Sequence, residues 1–392
     1  MFKDFNQEGF RADIKLIGWW SIYGCNDANT AAETLTNELN KALDRWAPVK
    51  KIQVRPKYRP WITKETKVLM RQRDFAQEIA SQTKNQEDWR EFKNLRNRVV
   101  TRLRNEKKQW ENEQFNHLGK DSTILWRNVK SWLGWKNSGP PTQLFVTKII
   151  SRPKEIANAM NQFFINKVKK LQQKLPIDKN DPLRYLRKMM KKRNCSFKFR
   201  PVSPEEVLKI VSNLKNSKST GIDNIDTNTI KLVIKEILPA LTHVINLSLK
   251  TKTFPTIYKK SKIIPLLKNP QADPLNPQFY RPVSLLPILS KVLERTVFRQ
   301  IEEYILENDL LHPSHHGGRP WHSTTTAIIE LQDQWLQAVD RGDMAACMML
   351  DLSAAYDLAN HDLILKKLDL YGFQPDTIEW MKSYLSDRSQ SV

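Results

Sequence analysis

The amino-acid sequence predicts an α+β fold, and three observations support this class. Helix and strand patterns are mixed along residues 201–392 without the strict alternation of a parallel α/β sheet. Ser203-Pro-Glu-Glu206 is a capping box that opens a helix, and Lys262–Lys268 predicts a strand that Pro265 confines to a sheet edge. The apolar run Ala345–Asp351 predicts a strand buried on both faces that ends in a carboxylate.

Helices dominate the chain before residue 201. Apolar side chains over residues 30–46 are spaced as one helix, which Pro48 ends, and prolines make Val54–Trp61 extended. A long helix is then expected from Thr63 to His117, with a narrow apolar stripe and a basic remainder. Ser138-Gly-Pro-Pro141 interrupts the helical pattern, and the basic run Lys167–Arg200 predicts a linker.

After residue 201 the apolar spacing predicts several helices besides the one that the capping box opens. The expected helices cover residues 227–254, 289–307, 323–340, 363–370 and 376–385, and His312–His322 is expected to form a loop. Strands and helices together therefore give an α+β domain that follows a mainly α-helical, basic region.

Composition excludes several classes of protein. A chain of 392 residues with 40% hydrophobic side chains can bury sizeable cores, so it is not wholly disordered. Cys25, Cys195 and Cys347 are too few and too far apart for a disulfide framework, which favours a reducing compartment. The first residues lack the apolar region of a secretory signal, so we expect an intracellular protein of the nucleus or cytoplasm, with no membrane partner.

Charge is unevenly distributed along the chain. The formal net charge is +22, and the whole excess falls within residues 50–200, whereas the flanking regions are close to neutral. Such a concentration favours a polyanionic partner, and nucleic acid is favoured over a membrane because no lipidation motif accompanies it. A solvated basic helix surface is the alternative. The candidate contacts on the long helix are Arg96, Arg98, Arg102, Arg104, Lys107 and Lys108.

Collinear motifs in residues 201–392 resemble the reverse transcriptases of non-LTR retrotransposons. The matching blocks are Lys215-Asn-Ser-Lys-Ser-Thr-Gly-Ile-Asp223, Lys262-Ile-Ile-Pro-Leu-Leu-Lys268, Phe279-Tyr-Arg-Pro-Val-Ser-Leu-Leu-Pro287 with Lys291 and Glu294, His316-Gly-Gly-Arg-Pro-Trp-His-Ser-Thr324, Leu350-Asp-Leu-Ser-Ala-Ala-Tyr-Asp357 with His361, and Ser383-Tyr-Leu-Ser-Asp-Arg388. Each block is weak alone, but their common order makes the resemblance specific.

The resemblance also divides the chain. Residues 1–55, which end in Trp46-Ala-Pro-Val-Lys-Lys-Ile-Gln-Val-Arg55, resemble the last piece of the element's endonuclease domain. Residues 56–200, with Pro60-Trp61 and Leu125-Trp126, resemble its basic helical linker. Residues 201–392 resemble the fingers and an incomplete palm of a right-hand polymerase. The catalytic acids of the nuclease would lie before Met1.

The resemblance implies an RNA-directed DNA polymerase that extends a DNA primer on an RNA template, using dNTPs and two Mg²⁺ ions. It makes Asp351 the first catalytic carboxylate and a metal ligand, with the Leu352 carbonyl as a second ligand. It assigns the incoming triphosphate to Arg281, with Lys262 or Lys268 as a further charge. Tyr356 matches the aromatic residue that crowds a ribose 2′-hydroxyl, and Arg319 matches a nucleic-acid contact.

Three departures from the family pattern concern the loop and the catalytic block. Gly318 replaces the usual Phe, Trp321 replaces the usual second Gly, and Ala354 stands where Lys is common. His312, His315, His316 and His322 crowd the same loop, but without a nearby Cys or a zinc-ligand spacing they do not predict a zinc site.

The family's second metal-binding element, an aromatic-x-Asp-Asp hairpin, has no counterpart in this sequence. We therefore expect a truncated retrotransposon polyprotein that lacks part of the set of carboxylates needed to hold two metal ions. A non-catalytic RNA- or DNA-binding protein derived from the element, and a pseudogene product, are the alternatives that the sequence leaves open.

Primer extension tests this expectation. The chain alone should not extend a DNA primer on an RNA template in Mg²⁺, because one carboxylate cannot hold two metal ions. Mg²⁺-dependent extension that disappears in Asp351→Ala would contradict it.

Overall fold

The computed structural model describes residues 5–48, 61–116, 126, 129, 139–173, 181–190, 195–269, 271–352 and 354–392. The chain forms two compact units, one built from Met1–Val49 with Gly139–Val392 and the other from Lys50–Ser138. Most of the predicted extended segment at Val54–Trp61 and of the block around Leu125 lies outside the described residues. The division into endonuclease remnant, linker and polymerase segment stays a prediction.

The described helices are numbered here in chain order. They are α1 (Gln7–Leu16), α2 (Trp20–Tyr23), α3 (Ala28–Trp46), α4 (Lys64–Thr83), α5 (Gln86–Asn116), α6 (Pro153–Gln172), α7 (Arg184–Met190), α8 (Pro204–Asn213), α9 (Thr227–Lys250), α10 (Ile288–Glu307), α11 (Thr324–Asp340), α12 (His361–Leu370) and α13 (Pro375–Leu385). The strands are β1 (Leu144–Phe145), β2 (Ile149–Ile150), β3 (Lys260–Leu267), β4 (Tyr280–Leu285) and β5 (Ser389–Ser391). Mixed helices and small sheets confirm the α+β class.

Helix α9 is the centre of the larger unit. Its apolar side chains are buried in a core to which α1, α2, α3, α8 and α10 all contribute. The helix is long and apolar enough to meet the length and composition of a membrane span, but half of its most apolar window is buried inside the protein. Packing on several sides accounts for this composition, because a helix that is apolar all round is typical of a buried core.

The capping box predicted at Ser203 forms as expected. The Ser203 hydroxyl accepts a hydrogen bond from the Glu206 amide at 3.3 Å, and the Glu206 carboxylate accepts one from the Ser203 amide at 2.9 Å. Asp27 caps α3 in the same way, through the Thr30 amide at 2.9 Å. Each cap satisfies an amide that the first turn of a helix leaves without a partner.

The main sheet has the strand order β4-β3-β5, so the prediction of β3 as an edge strand is wrong. Strand β4 pairs antiparallel with β3 along its length, whereas β5 pairs parallel with Lys260–Lys262 only. Pro265 lies opposite Pro282, beyond the short β5 pairing. Prolines donate no amide hydrogen bond, so this proline pair suits the part of β3 that has a neighbour on one side.

The predicted helical stretch from Thr63 to His117 is helical over its described residues, as a hairpin of two helices in the smaller unit. Helix α4 ends at Lys84, whose φ of 54° is left-handed, and α5 begins two residues later. Near the hairpin's other end, the Trp61 and Trp110 rings lie 5.4 Å apart, and Glu106 accepts hydrogen bonds from the Thr63 and Thr66 hydroxyls at 2.7 Å. The break falls in the polar run Ser81–Asp88, which contains neither Gly nor Pro, so the sequence held no strong signal for a helix end there.

The predicted linker Lys167–Arg200 is also wrong in part. Residues up to Gln172 belong to α6, and α7 buries Leu183, Leu186 and Met190 with Tyr304 and Phe373. Phe197 pairs with Phe373 as a parallel bridge. Leu183, Leu186 and Met190 have the i, i+3, i+7 spacing of one helix face, but the basic residues around them drew the interpretation towards a linker.

The predicted buried strand Ala345–Asp351 does not form. Residues 343–352 have no regular secondary structure, and Met348, Met349 and Leu350 are more than four-fifths exposed. A strand buried on both faces belongs inside a sheet that other elements cover, and the described residues place no strand beside this segment.

Substitutions in α3 test whether the N-terminal helices share the core of α9. Leu35→Ala removes a fully buried side chain from this core and should lower the free energy of unfolding by about 2–5 kcal/mol. Leu16→Ala at an exposed position should change it by less than about 0.5 kcal/mol. Urea unfolding followed by the near-UV signal of the whole chain measures both. A Leu35→Ala effect confined to a separate early transition would show that α3 is an independent module.

Candidate nucleic-acid and nucleotide site

Two of the motif blocks meet at Gly221. A Cβ atom added to this glycine would lie 2.6 Å from the Pro287 nitrogen and 2.8 Å from the Leu286 carbonyl carbon. The loop Lys215–Asp223 therefore approaches the end of β4 at a distance that only glycine permits. The close approach brings the first block against the third, which sequence order alone did not show.

Asp223 lies next to this contact, at a cavity of about 220 Å³ whose lining is mainly apolar. The cavity is lined on the α3 side by Thr36, Asn37 and Asn40, and on the other side by Asp223 and Tyr258. One carboxylate oxygen of Asp223 accepts a 3.4 Å hydrogen bond from the Ile225 amide, and the other is buried without a partner among the described residues. Burial raises the pKa of Asp223 to about 6, although the Ile225 hydrogen bond and the Lys291 charge oppose the shift.

The third block also contacts the sixth. Glu294 on α10 accepts a hydrogen bond from the Ser290 hydroxyl at 2.9 Å and lies 3.9 Å from the Arg388 guanidinium. Burial raises the pKa of Glu294, while Ser290 and Arg388 act in the opposite direction. Arg388 also lies over the Tyr384 ring, at 4.3 Å from its centroid. Four of the six motif blocks, the first, second, third and sixth, thus form one packed region around β3, β4 and the start of α10, whereas the fourth and fifth lie outside it.

The three cations assigned to the triphosphate lie on this sheet. Arg281 stands opposite Leu266 in the β3–β4 register, and Lys262 stands on the same face four residues before Leu266. Lys268 follows β3, and its ammonium donates a 2.9 Å hydrogen bond to the Gln278 carbonyl. Burial lowers the pKa of Lys268, and the positive charges of Lys167 and Arg281 lower it further.

Lys167 and Lys170 are basic residues that sequence analysis left without a site. Together with Lys268 they line a cavity of about 350 Å³ between α6 and the β3–β4 sheet. Helix α6 reaches the sheet because Met160 and Phe164 pack in one cluster with Ile263 and Tyr280. The sequence marked α6 as basic, but only tertiary packing places its lysines beside Lys268.

Asp351, Leu352 and Tyr356 lie in the exposed segment described above. Leu352 is 76% exposed and Tyr356 is 98% exposed, and Asp351 has no hydrogen bond or ion pair with the rest of the described chain. No group of three or more His, Cys, Asp or Glu side chains within the described residues could hold a metal ion. One carboxylate and one carbonyl oxygen therefore do not fit a two-Mg²⁺ centre.

Arg319 and the histidines lie in the loop before α11. The Arg319 guanidinium donates a 3.3 Å hydrogen bond to the Pro313 carbonyl, and a His316 ring nitrogen lies 2.7 Å from the Glu330 carboxylate. Hydrogen bonds from the Ser314 side chain and His316 lower the pKa of Glu330. Trp321 has a left-handed φ of 63° and is 98% exposed, so it holds a conformation that suits glycine, the residue usual in the resembled family.

The six candidate cations of α5 are all exposed, but they are not equivalent. Arg102 pairs with Glu65 and Glu106, and Lys107 lies 3.6 Å from Glu111. Arg98, Arg104 and Lys108 have no carboxylate within ion-pair distance among the residues that the structure describes. These three, like Arg96, whose guanidinium contacts only the Asn97 side chain, can contact a phosphate without breaking an ion pair.

Asp223→Asn tests the buried carboxyl. A pKa of about 6 in the folded chain against 3.8 when unfolded means that the folded state binds more protons between these values. Stability should therefore fall as pH rises from about 4 to 6, and Asp223→Asn should gain up to about 3 kcal/mol at pH 7.5. Urea unfolding across this range measures the profile. Asp340→Asn, at an exposed carboxylate, should keep the wild-type profile, and a profile shared by all three proteins would contradict the assignment.

Curated relatives confirm the resemblance. The chain is 30% identical over 193 residues to the probable RNA-directed DNA polymerase from transposon BS of Drosophila melanogaster, and 32% identical over 192 residues to that from mobile element jockey of Drosophila funebris. Each match covers 49% of this chain and 21% of the relative. The chain is also 32% identical over 102 residues to the putative 115 kDa protein in the type-1 retrotransposable element R1DM of Drosophila melanogaster. This match covers 26% of this chain and 10% of the relative.

No family model matches the chain. The chain spans about a fifth of the length of the polymerase relatives, since each of those matches covers 21% of the relative. Three of the four RNA-directed DNA polymerases matched in this way are 30% identical or more, and all four come from Drosophila mobile elements. Over about half its length, this chain is therefore a relative of the RNA-directed DNA polymerases of non-LTR retrotransposons.

Proposed function

We propose that this chain is a segment of an RNA-directed DNA polymerase, and that it contributes the fingers and part of the palm. The observation that carries the proposal is the convergence of four of the six motif blocks around β3, β4 and the start of α10, where Gly221 meets Pro287 and Glu294 approaches Arg388. The relatives, which are named as RNA-directed DNA polymerases, support the same function.

In this function the sheet cations bind phosphate. Arg281 presents a forked guanidinium that suits the oxygens of an incoming dNTP, and Lys262 shares its face of the sheet. Asp351, Leu352 and Tyr356 would act at the reacting end of the nucleotide. Mg²⁺ is the metal expected for such a reaction. The described residues supply one carboxylate toward it, so the proposed role of this segment is to bind and orient the substrates.

The basic hairpin α4–α5 is the proposed nucleic-acid contact of the smaller unit. Arg98, Arg104 and Lys108 are exposed and free of ion pairs in the described part of the chain, so binding phosphate breaks no existing pair. Arg102 and Lys107 must first give up their carboxylate partners. We therefore expect Arg98, Arg104 and Lys108 each to contribute more to RNA affinity than Arg102 or Lys107 does.

Salt-dependent RNA binding by the whole chain tests this proposal. Each single-strand phosphate contact contributes about 0.7 to the slope of log K against log salt, so the triple variant Arg98→Ala, Arg104→Ala, Lys108→Ala should reduce the slope by about 2. Fluorescence anisotropy with labelled oligouridylate measures it.

The control removes the same charge from exposed positions of the other unit, as Lys209→Ala, Lys235→Ala and Arg295→Ala. The control should keep the wild-type slope to within about 0.5, because none of its residues is a proposed contact. An equal loss of salt slope in both triple variants would show that the hairpin cations act only through the overall charge of the chain and not as specific phosphate contacts. No RNA binding by the wild-type chain would overturn the proposed function.

A further inference from the structure

The cavity between α6 and the sheet carries positive charge without a compensating carboxylate. Lys167 and Lys170 are exposed on adjacent turns of α6, and Lys268 faces them from the end of β3. None of the three forms an ion pair within the described residues. All three lysines line the same cavity, and burial lowers the pKa of Lys268, with the positive charges of Lys167 and Arg281 acting in the same direction. An anion in the cavity would offset these charges.

A second cavity adjoins the first and differs in character. It measures about 400 Å³ and shares Phe163 and Gln278 with the lysine cavity. Phe145, which is 53% exposed, and Val146 form its apolar side. Asp273 also lines it, with one carboxylate oxygen accepting the Leu275 amide at 2.9 Å. A carboxylate here disfavours a second phosphate, whereas the aromatic rings suit the flat face of a base.

The aromatic cavity is held in place by backbone contacts. Strand β1 pairs with β2, and the Phe145 amide donates a 2.8 Å hydrogen bond to the Leu275 carbonyl in the loop before β4. The Tyr280 hydroxyl donates a 2.8 Å hydrogen bond to the Pro274 carbonyl of the same loop. Phe145 is therefore exposed on an anchored hairpin, so its exposure does not come from a loose loop.

We propose that these two cavities form one binding site for single-stranded nucleic acid, in which Lys167, Lys170 and Lys268 bind the phosphate backbone and Phe145 and Phe163 stack on bases. Basic grooves with adjacent aromatic rings are the common design for binding single strands without sequence preference. The site deepens the proposed function by adding α6, which sequence analysis had placed in a linker. It also gives Lys268 a partner other than a free triphosphate.

Binding of labelled oligouridylate to the full chain tests the phosphate half of the site. Lys167→Ala with Lys170→Ala should weaken binding roughly tenfold at about 0.15 M salt and lower the salt slope by about 1.4, since two contacts are lost. Lys154→Ala with Lys169→Ala is the matched control, because both lysines are exposed on the same helix but do not line the cavity. The control should bind as the wild type does.

Phe145→Ala tests the stacking half. Loss of a stacked base should weaken oligouridylate binding between about fivefold and a hundredfold and leave inorganic tripolyphosphate binding unchanged. Tyr185→Ala, at another exposed aromatic residue, should change neither. Polyglutamate is a polyanion without bases, so it should compete only weakly with oligouridylate for the site.

The outcomes separate this inference from the proposed function. If the wild-type chain binds RNA but the cavity variant at Lys167 and Lys170 loses no more affinity than the control variant at Lys154 and Lys169, the proposed site is wrong and the proposed function stands. If the cavity lysines affect tripolyphosphate but not oligouridylate, or if polyglutamate competes as well as RNA, the single-strand assignment is overturned. If the wild-type chain binds no RNA, both fail.

Discussion

Burial of α9 is the constraint on which the larger unit depends. This helix is apolar on most of its surface, so it requires neighbours on several sides, and one short sequence region cannot provide them. The N-terminal helices cover one part of it, and Trp380 of α13 reaches another, where its indole nitrogen donates to the Ser248 hydroxyl at 3.1 Å. Segments from both ends of the chain therefore share one core. The sheet and the motif loops rest on that core through α10, whose first turns carry Leu289, Val292 and Leu293 into it.

Local sequence patterns predicted most helices, because caps and apolar spacing act within a few residues. The Ser203 capping box and the helix that became α9 needed nothing from elsewhere in the chain. Two failures had a different cause. The break at Lys84 depends on a left-handed residue that is neither Gly nor Asn, and it falls in the polar run Ser81–Asp88, in which no Gly or Pro marks a helix end. The run Ala345–Asp351 has the composition of a buried strand, but composition cannot supply the neighbouring strands that such a strand needs.

The sequence predicted those residues of the candidate site that belong to a motif block. It did not predict the residues that reach the site only through tertiary packing. Arg281 and Lys268 were identified from their blocks, and the register of β3 and β4 places them near one another. Lys167 belongs to no block. It reaches Lys268 only because Met160 and Phe164, on the buried side of α6, pack against Ile263 and Tyr280 of the sheet. Because α6 packs through one face, its buried apolar residues determine the direction of the lysines that lie beside that face.

Net charge alone overstates how strongly such a chain holds a polyanion. The formal charge of +22 counts Arg102 and Lys107, although each is already paired with glutamates of the hairpin. Binding through a paired cation releases fewer counterions and requires an existing ion pair to break, whereas an unpaired cation does neither. Each unit contains a few unpaired cations on fixed elements, Arg98 and Arg104 on α5 in one and Lys167 on α6 in the other. The salt dependence of binding therefore reports how many of these rigidly held cations contact phosphate, and the distribution of the carboxylates, more than the total charge, sets that number.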